Sequence, residues 1–251
     1  MLVLEYDGTD FLGSQLQAGG RTVQGELEAA VGKLTGKPRE VRFKVNLAGR
    51  TDAGVHAAGQ VANFLTEADY PIETFRRGLN AVLPDDVSVT RAEEVDADFH
   101  ARFSAKERTY CYAILNRPSR SALNRRFTHW IADRLNVDLM QKAGDLLIGQ
   151  HDFASFAGSG MSMVRPGGDK PSTVRCMTRL ELVTLGEKLE IWLAANAFLP
   201  QMVRNIVGTL LMVGRGKVSL MDFEDILAAQ DRRAAGPTAP ACGLTLVSVS
   251  Y

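Results

Sequence analysis

The chain writes one supersecondary pattern twice, and this repetition limits the folds open to it. Val3 to Tyr6 reads as a strand. After a long loop, Val23, Leu27, Ala30, Val31 and Leu34 recur at helical spacing, with Thr22 placed as N-cap. Val41, Phe43, Val45 and Leu47 then alternate with Arg42, Lys44 and Asn46, the mark of a half-buried strand. Gln60 to Leu65 is a further strand. Ile72, Phe75, Leu79 and Val82 mark a second helix, stopped at Pro84, and Val87 to Val95 is a strand. The order is β-α-β-β-α-β, the split arrangement of ferredoxin-like and RRM-like domains.

The second half follows the same order. Arg108 to Leu115 is a strand, and Leu139, Met140, Ala143, Leu146 and Leu147 form a helical face that stops before Gly149. Val174 to Leu185 and Lys188 to Ala195 are strands around a Gly186-Glu187 turn. Pro200 opens a helix ending near Gly214. Ser219 with Asp222 starts an extra helix to about Gln230, and Leu244 to Tyr251 is the last strand. The expected fold is therefore α+β: two ferredoxin/RRM-like βαββαβ halves with mainly antiparallel sheets. The boundary falls near residues 103–107, giving domains 1–104 and 105–251. Two stretches read as mobile, the glycine-rich run from Ala157 to Ser172 and the segment from Asp231 to Ala241.

Composition narrows the class. Lysine plus arginine and aspartate plus glutamate are each 29, so the formal net charge is zero. That counts against a uniformly basic nucleic-acid binder and leaves local clusters to carry any such role. Arg76-Arg77, then Arg102, Lys106 and Arg108, then Arg117, Arg120, Arg125 and Arg126 are such clusters. Cys111, Cys176 and Cys242 are widely spaced, without C-x-x-C, which argues against a zinc site or disulfide framework. The acidic N-terminus lacks the form of a signal peptide, and no apolar run reaches membrane-spanning length. The expectation is a soluble, cytoplasmic protein. P-loop, H-E-x-x-H and G-x-S-x-G patterns are absent.

One stretch can carry chemistry. The Val41–Leu47 strand runs into Ala48-Gly49-Arg50-Thr51-Asp52-Ala53-Gly54-Val55-His56-Ala57. Gly49 and Gly54 bracket Arg50 and Asp52, leaving little side-chain bulk around the carboxylate. On these residues alone, a polar turn with Asp52 as acceptor is the simpler account.

The stretch Gly49 to Ala57 followed by Gln60-Val61 resembles the signature of the tRNA pseudouridine synthases that modify the anticodon arm at positions 38 to 40. Tyr6-Asp7-Gly8-Thr9 with Phe11, Gly13, Gln15 and Gln17, and Arg21 to Glu28, resemble that family's N-terminal motifs. Phe99 to Lys106 with Arg108-Thr109-Tyr110 and Tyr112 is similar to its domain junction. Gly149, His151-Asp152-Phe153, Phe198-Leu199, Met202-Val203-Arg204 and Gly243-Leu244 continue the match to the end. Ser14 departs from it, standing where the family usually has tryptophan.

The resemblance implies that Asp52 is the catalytic carboxylate, in a cleft between the two halves. It places Tyr110 against the target uracil, Arg204 beside Asp52, Arg50 on the RNA and Leu244 at the uracil pocket. It implies a homodimer whose partner is the tRNA anticodon stem-loop, with no cofactor, no metal and no membrane. An ionised carboxylate suits a nucleophile or base at the sugar. The alternative of the same fold is a non-catalytic RNA-binding protein with two RRM-like domains. Tyr110 and Tyr112 partly suit it, but the RNP pattern is absent.

Overall fold

A computed structural model describes residues 1–36, 43–158 and 172–251. In chain order the strands and α-helices are β1 (Leu2–Tyr6), α1 (Val23–Leu34), β2 (Asn46–Leu47), β3 (His56–Asn63), α2 (Ile72–Asn80) and β4 (Val87–Ala92). These are followed by β5 (Glu107–Asn116), β6 (His129–Ile131), α3 (Val137–Asp145), β7 (Gly149–Asp152), β8 (Val174–Leu185) and β9 (Lys188–Ala195). The series ends with α4 (Met202–Gly214), α5 (Leu220–Ala229) and β10 (Leu244–Ser250). The architecture is α+β with mostly antiparallel strands, and it divides into two compact units.

The first unit comprises residues 1–106 and 245–251. β1 lies between β3 and β4 and is antiparallel to both. β2 pairs antiparallel with the end of β3, Asn46 opposite Asn63 and Leu47 opposite Ala62. This is the strand order expected of a split βαβ unit. α1 begins where the Thr22 side chain accepts the Gly25 N–H and buries Val23, Leu27, Ala30 and Val31. α2 buries Phe75 and Leu79.

Two differences from the sequence pattern have physical causes. Of the strand predicted over Val41–Leu47, Val41 and Arg42 lie outside the described residues, and only Asn46–Leu47 pairs in the sheet. Phe43, Val45 and Leu47 are nevertheless buried, with Lys44 exposed, so the alternation continues beyond the ladder. The last strand belongs to the first unit, whereas the repeat placed it in a second domain running to residue 251. β2 leaves most of that edge of β3 unpaired, and β10 occupies it in parallel, Thr245 opposite His56 and Leu246 opposite Ala57. Gly59 permits the approach: a Cβ there would stand 2.2 Å from the Val247 carbonyl oxygen.

In the second unit, residues 107–244, the antiparallel order is β5-β9-β8-β7, with β6 parallel to β5. β5, α3, β8, β9 and α4 follow the predicted order, and α5 is the predicted extra helix, started by a Ser219–Asp222 capping box. β6 and β7 are additions that the pattern did not predict. α4 is buried on almost every side.

The segment 231–241, predicted to be mobile, is instead fastened to the helices. The Asp231 N–H donates to Ser155 Oγ (3.0 Å), the Gly236 N–H to Thr209 Oγ1 (3.0 Å) and the Ala239 N–H to the Arg204 carbonyl (3.0 Å). Polar and small side chains give it the composition of a loop, but the Gly236 and Ala239 N–H groups are satisfied by α4 residues. Of the other stretch predicted to be mobile, Ala157 to Ser172, residues 159–171 lie outside the described residues.

Gly59→Ala tests the β3–β10 contact. Its methyl group must displace backbone, and we expect a loss of about 1–3 kcal/mol in stability, read as a lower urea midpoint with unchanged slope. An unaltered midpoint would contradict the close packing.

Candidate active site

Between β2 and β3 the chain makes the loop that holds Arg50 and Asp52. The Val55 N–H donates to the Asp52 carbonyl (3.1 Å), and Gly54 has φ +79°, a conformation that favours glycine. Asp52 forms an isolated antiparallel bridge with Gly13. Its residue is half-buried, while Arg50 is exposed. The loop is therefore a turn, as its residue types indicated, but a turn built against another segment.

Buried polar groups of β3 and of the N-terminal segment clamp this loop. Gln60, fully buried, accepts the Gly49 N–H at its Oε1 (2.9 Å) and donates from Nε2 to the Gly49 carbonyl (2.8 Å). One side chain thus satisfies both backbone groups of the glycine that opens the loop. Ser14 is also fully buried. Its hydroxyl accepts the Thr51 N–H (2.8 Å) and donates to the Gly49 carbonyl (3.4 Å), while its own N–H donates to the Thr51 carbonyl (3.0 Å). Tyr6 completes the set, with its hydroxyl 2.8 Å from Thr51 Oγ1 and accepting from Gln60 Nε2 (3.3 Å). Burial pushes the Tyr6 phenol above its ordinary value, so it stays a neutral O–H.

Two further contacts hold the clamping segment itself. The Gly8 N–H donates to His56 Nδ1 (3.0 Å), and a Cβ on Gly8 would stand 1.9 Å from the Val55 carbonyl oxygen, so glycine is required there. Arg21 donates two bonds to Asp86 (2.6 and 2.7 Å) and lies 4.3 Å from the Phe11 ring centroid.

The remaining predicted site residues lie in the second unit. Tyr110 is buried on β5, its ring edge-on to Phe198 at 5.2 Å. Tyr112, two residues on and so on the same strand face, is fully buried and donates to the Pro240 carbonyl (2.8 Å). Burial raises the Tyr112 phenol far above its ordinary value. Gly243 makes room for that ring, since a Cβ would stand 2.7 Å from it.

Arg204, half-buried on α4, donates from Nε to the Ala239 carbonyl (2.8 Å), and its own carbonyl accepts the Ala239 N–H. The Nε bond orients the guanidinium, and the main-chain bond holds residue 239 against α4. Leu244 is buried just after the Pro240–Gly243 turn. Asp52 and Arg50 are thus on one loop of the first unit. Tyr110, Arg204 and Leu244 belong to the β5, α4 and β10 elements, with the Tyr112–Pro240 contact beside them.

Ser14 and Gln60 are the functional supports that residue patterns alone passed over. Gln60 read as a strand residue within the motif, and Ser14 as a departure from it. Among the described residues, no group of three or more His, Cys, Asp or Glu could hold a metal ion, and no helix is long and apolar enough to cross a membrane.

The fold and the clamped loop do not by themselves name a reaction, and the class of enzyme comes from similarity to known proteins. The family model for tRNA pseudouridine synthase matches residues 2–104 and 143–251. A tRNA pseudouridine synthase A from Clostridium botulinum is 42% identical over 250 residues, covering 100% of this chain and 98% of its own. Relatives of the same name from Geobacillus kaustophilus (44%; 99% of this chain and 93% of its own) and Thermoanaerobacter sp. (45%; 100% and 98%) are similar. The chain belongs to the tRNA pseudouridine synthase family. It is an isomerase that forms pseudouridine in tRNA, and the alternative of a non-catalytic pair of RRM-like domains is set aside.

Ser14→Ala would leave the buried Thr51 N–H without its acceptor. The expected result is a loss of about 1–3 kcal/mol in stability by chemical denaturation. A variant as stable as the parent would show that the hydroxyl does not hold the loop.

Proposed function

We propose that the chain converts uridine to pseudouridine at positions 38, 39 and 40 in the anticodon stem-loop of tRNA, with Asp52 as the essential carboxylate. The reaction breaks the N1–C1′ bond, turns the base and joins C5 to C1′. The C5 proton leaves and N1 ends with a proton. No electrons and no carried group are exchanged, so the chemistry calls for no cofactor. What supports the reading is the half-buried Asp52 residue on a loop whose flanking backbone is fixed by Gln60 and Ser14. A carboxylate acting at a sugar carbon must be presented with little freedom, and such preorganisation lowers the barrier.

Tyr110, Arg50, Arg204 and Leu244 are the proposed substrate-binding residues. A tyrosine ring suits stacking on an extruded uracil. Arg50, exposed beside Asp52, suits the RNA backbone. Arg204, held by Ala239, offers an oriented cation, and Leu244 an apolar wall. The same resemblance supports a homodimer acting in the cytoplasm.

Release of tritium from tRNA labelled at uracil C5 reads the reaction directly. Wild type should release it, and mapping of the product should place pseudouridine at positions 38 to 40. Asp52→Asn should abolish release while tRNA binding remains. Turnover retained by Asp52→Asn would remove the proposed role, and product elsewhere in the tRNA would remove the proposed target.

A further inference from the structure

Beside the Asp52 loop, within the first unit, lies a cleft of about 560 Å³. Its lining includes three cations, Lys44, Arg50 and Arg102, together with His100 and Phe103. Glu28 is the acid on that wall, but it is buried and accepts bonds from Gln24 Nε2 (2.8 Å) and the Val45 N–H (3.3 Å). The cleft is therefore positive in a chain whose formal net charge is zero.

Phe103 at its rim is 78% exposed, and the His100 ring lies 4.4 Å away at 41°. A lone exposed phenylalanine needs no explanation. This one, however, sits on a turn whose backbone is held by hydrogen bonds. The Phe103 and Ser104 N–H groups both donate to the His100 carbonyl (3.0 and 2.9 Å), and the Arg102 N–H donates to His100 Nδ1 (3.1 Å). The turn is anchored in turn to the sheet: the Ala101 N–H donates to Asn63 Oδ1 (2.9 Å), and the Tyr251 hydroxyl donates to the Ala101 carbonyl (2.8 Å). An aromatic face fixed next to cations is the arrangement that receives an unstacked base and its phosphate.

We propose that this cleft is a nucleotide subsite. It takes an unpaired nucleotide of the substrate RNA next to the target uridine, stacking the base on Phe103 and setting its phosphate among Lys44, Arg50 and Arg102. Arg50 fixes the adjacency, because it stands two residues from Asp52; the assignment of a target uridine there rests on the function proposed for Asp52. Stacking tolerates any base, so the subsite contributes affinity across different tRNA sequences and little sequence preference.

The test uses the full chain with an RNA stem-loop. Phe103→Ala should weaken stem-loop binding about 5- to 100-fold, and Phe103→Tyr should restore it. Arg102→Ala should lower the slope of log affinity against log salt by about one. In Phe103→Trp, measured against the parent to subtract the two native tryptophans, the stem-loop should quench the new emission, and heparin, a polyanion without bases, should not. Unchanged affinity in Phe103→Ala, or equal quenching by heparin, would overturn the subsite. These titrations are made on chains that also carry Asp52→Asn, so they need no turnover. Loss of the Asp52 assignment would appear only in the tritium assay, and loss of the subsite only here.

Discussion

The structure of the candidate site depends on one arrangement of buried hydrogen bonds: Gln60 spanning both backbone groups of Gly49, with Ser14 holding Thr51. A loop rich in small residues has many conformations in the unfolded chain, and fixing it costs about 1–2 kcal/mol per residue. Each internal hydrogen bond returns only about 0.5–1.5 kcal/mol net. The decisive cost is that of leaving any of these groups unpaired away from water, which penalises every alternative loop geometry. The loop that carries Asp52 therefore takes its position from buried neighbours. The β1 strand supplies Tyr6, β3 supplies Gln60, and the segment between β1 and α1 supplies Ser14, so the sheet of the first unit is the frame of the loop.

Much of the fold was legible because its elements are long and periodic. α1, α2, α3, α4 and α5, and the β8–β9 hairpin, fall close to where apolar spacing and caps place them. β6 and β7 were not legible. Residues 129–131 are too few to alternate, and Gly149–Asp152 carries no apolar face. The pairing of β10 with β3 was not legible either, because it joins residues nearly two hundred positions apart and depends on the room left by Gly59. Segment 231–241 had the composition of a free loop, yet its backbone is fastened to α4 through Thr209 and Arg204. Composition reports what a segment can do alone, whereas tertiary partners decide what its backbone does.

The site was legible in a different way. From residue types alone Asp52 was a turn residue, and it does sit in a turn. Only the resemblance, extending over the whole chain, gives it the catalytic role proposed above; the family match shows the family. Ser14 was visible as a departure from the pattern but not as a support, since its hydroxyl reaches Thr51, 37 residues away. Arg204, which the resemblance places beside Asp52, is held through its Nε by the Ala239 carbonyl. That contact is possible because Gly208, whose Cβ would stand 1.7 Å from the Pro237 carbonyl oxygen, lets the segment lie against α4.

The central claim is that buried groups preset Asp52 for chemistry without contacting RNA. Gln60 is the sharpest probe, being fully buried and bonded to Gly49 on both sides. The measurement is the single-turnover rate at saturating tRNA, with tRNA affinity measured alongside, in Gln60→Ala. A displaced carboxylate should slow the chemical step by about a hundredfold while affinity stays within a small factor of the parent. An unchanged rate in a folded Gln60→Ala variant, or a loss confined to affinity, would contradict the account.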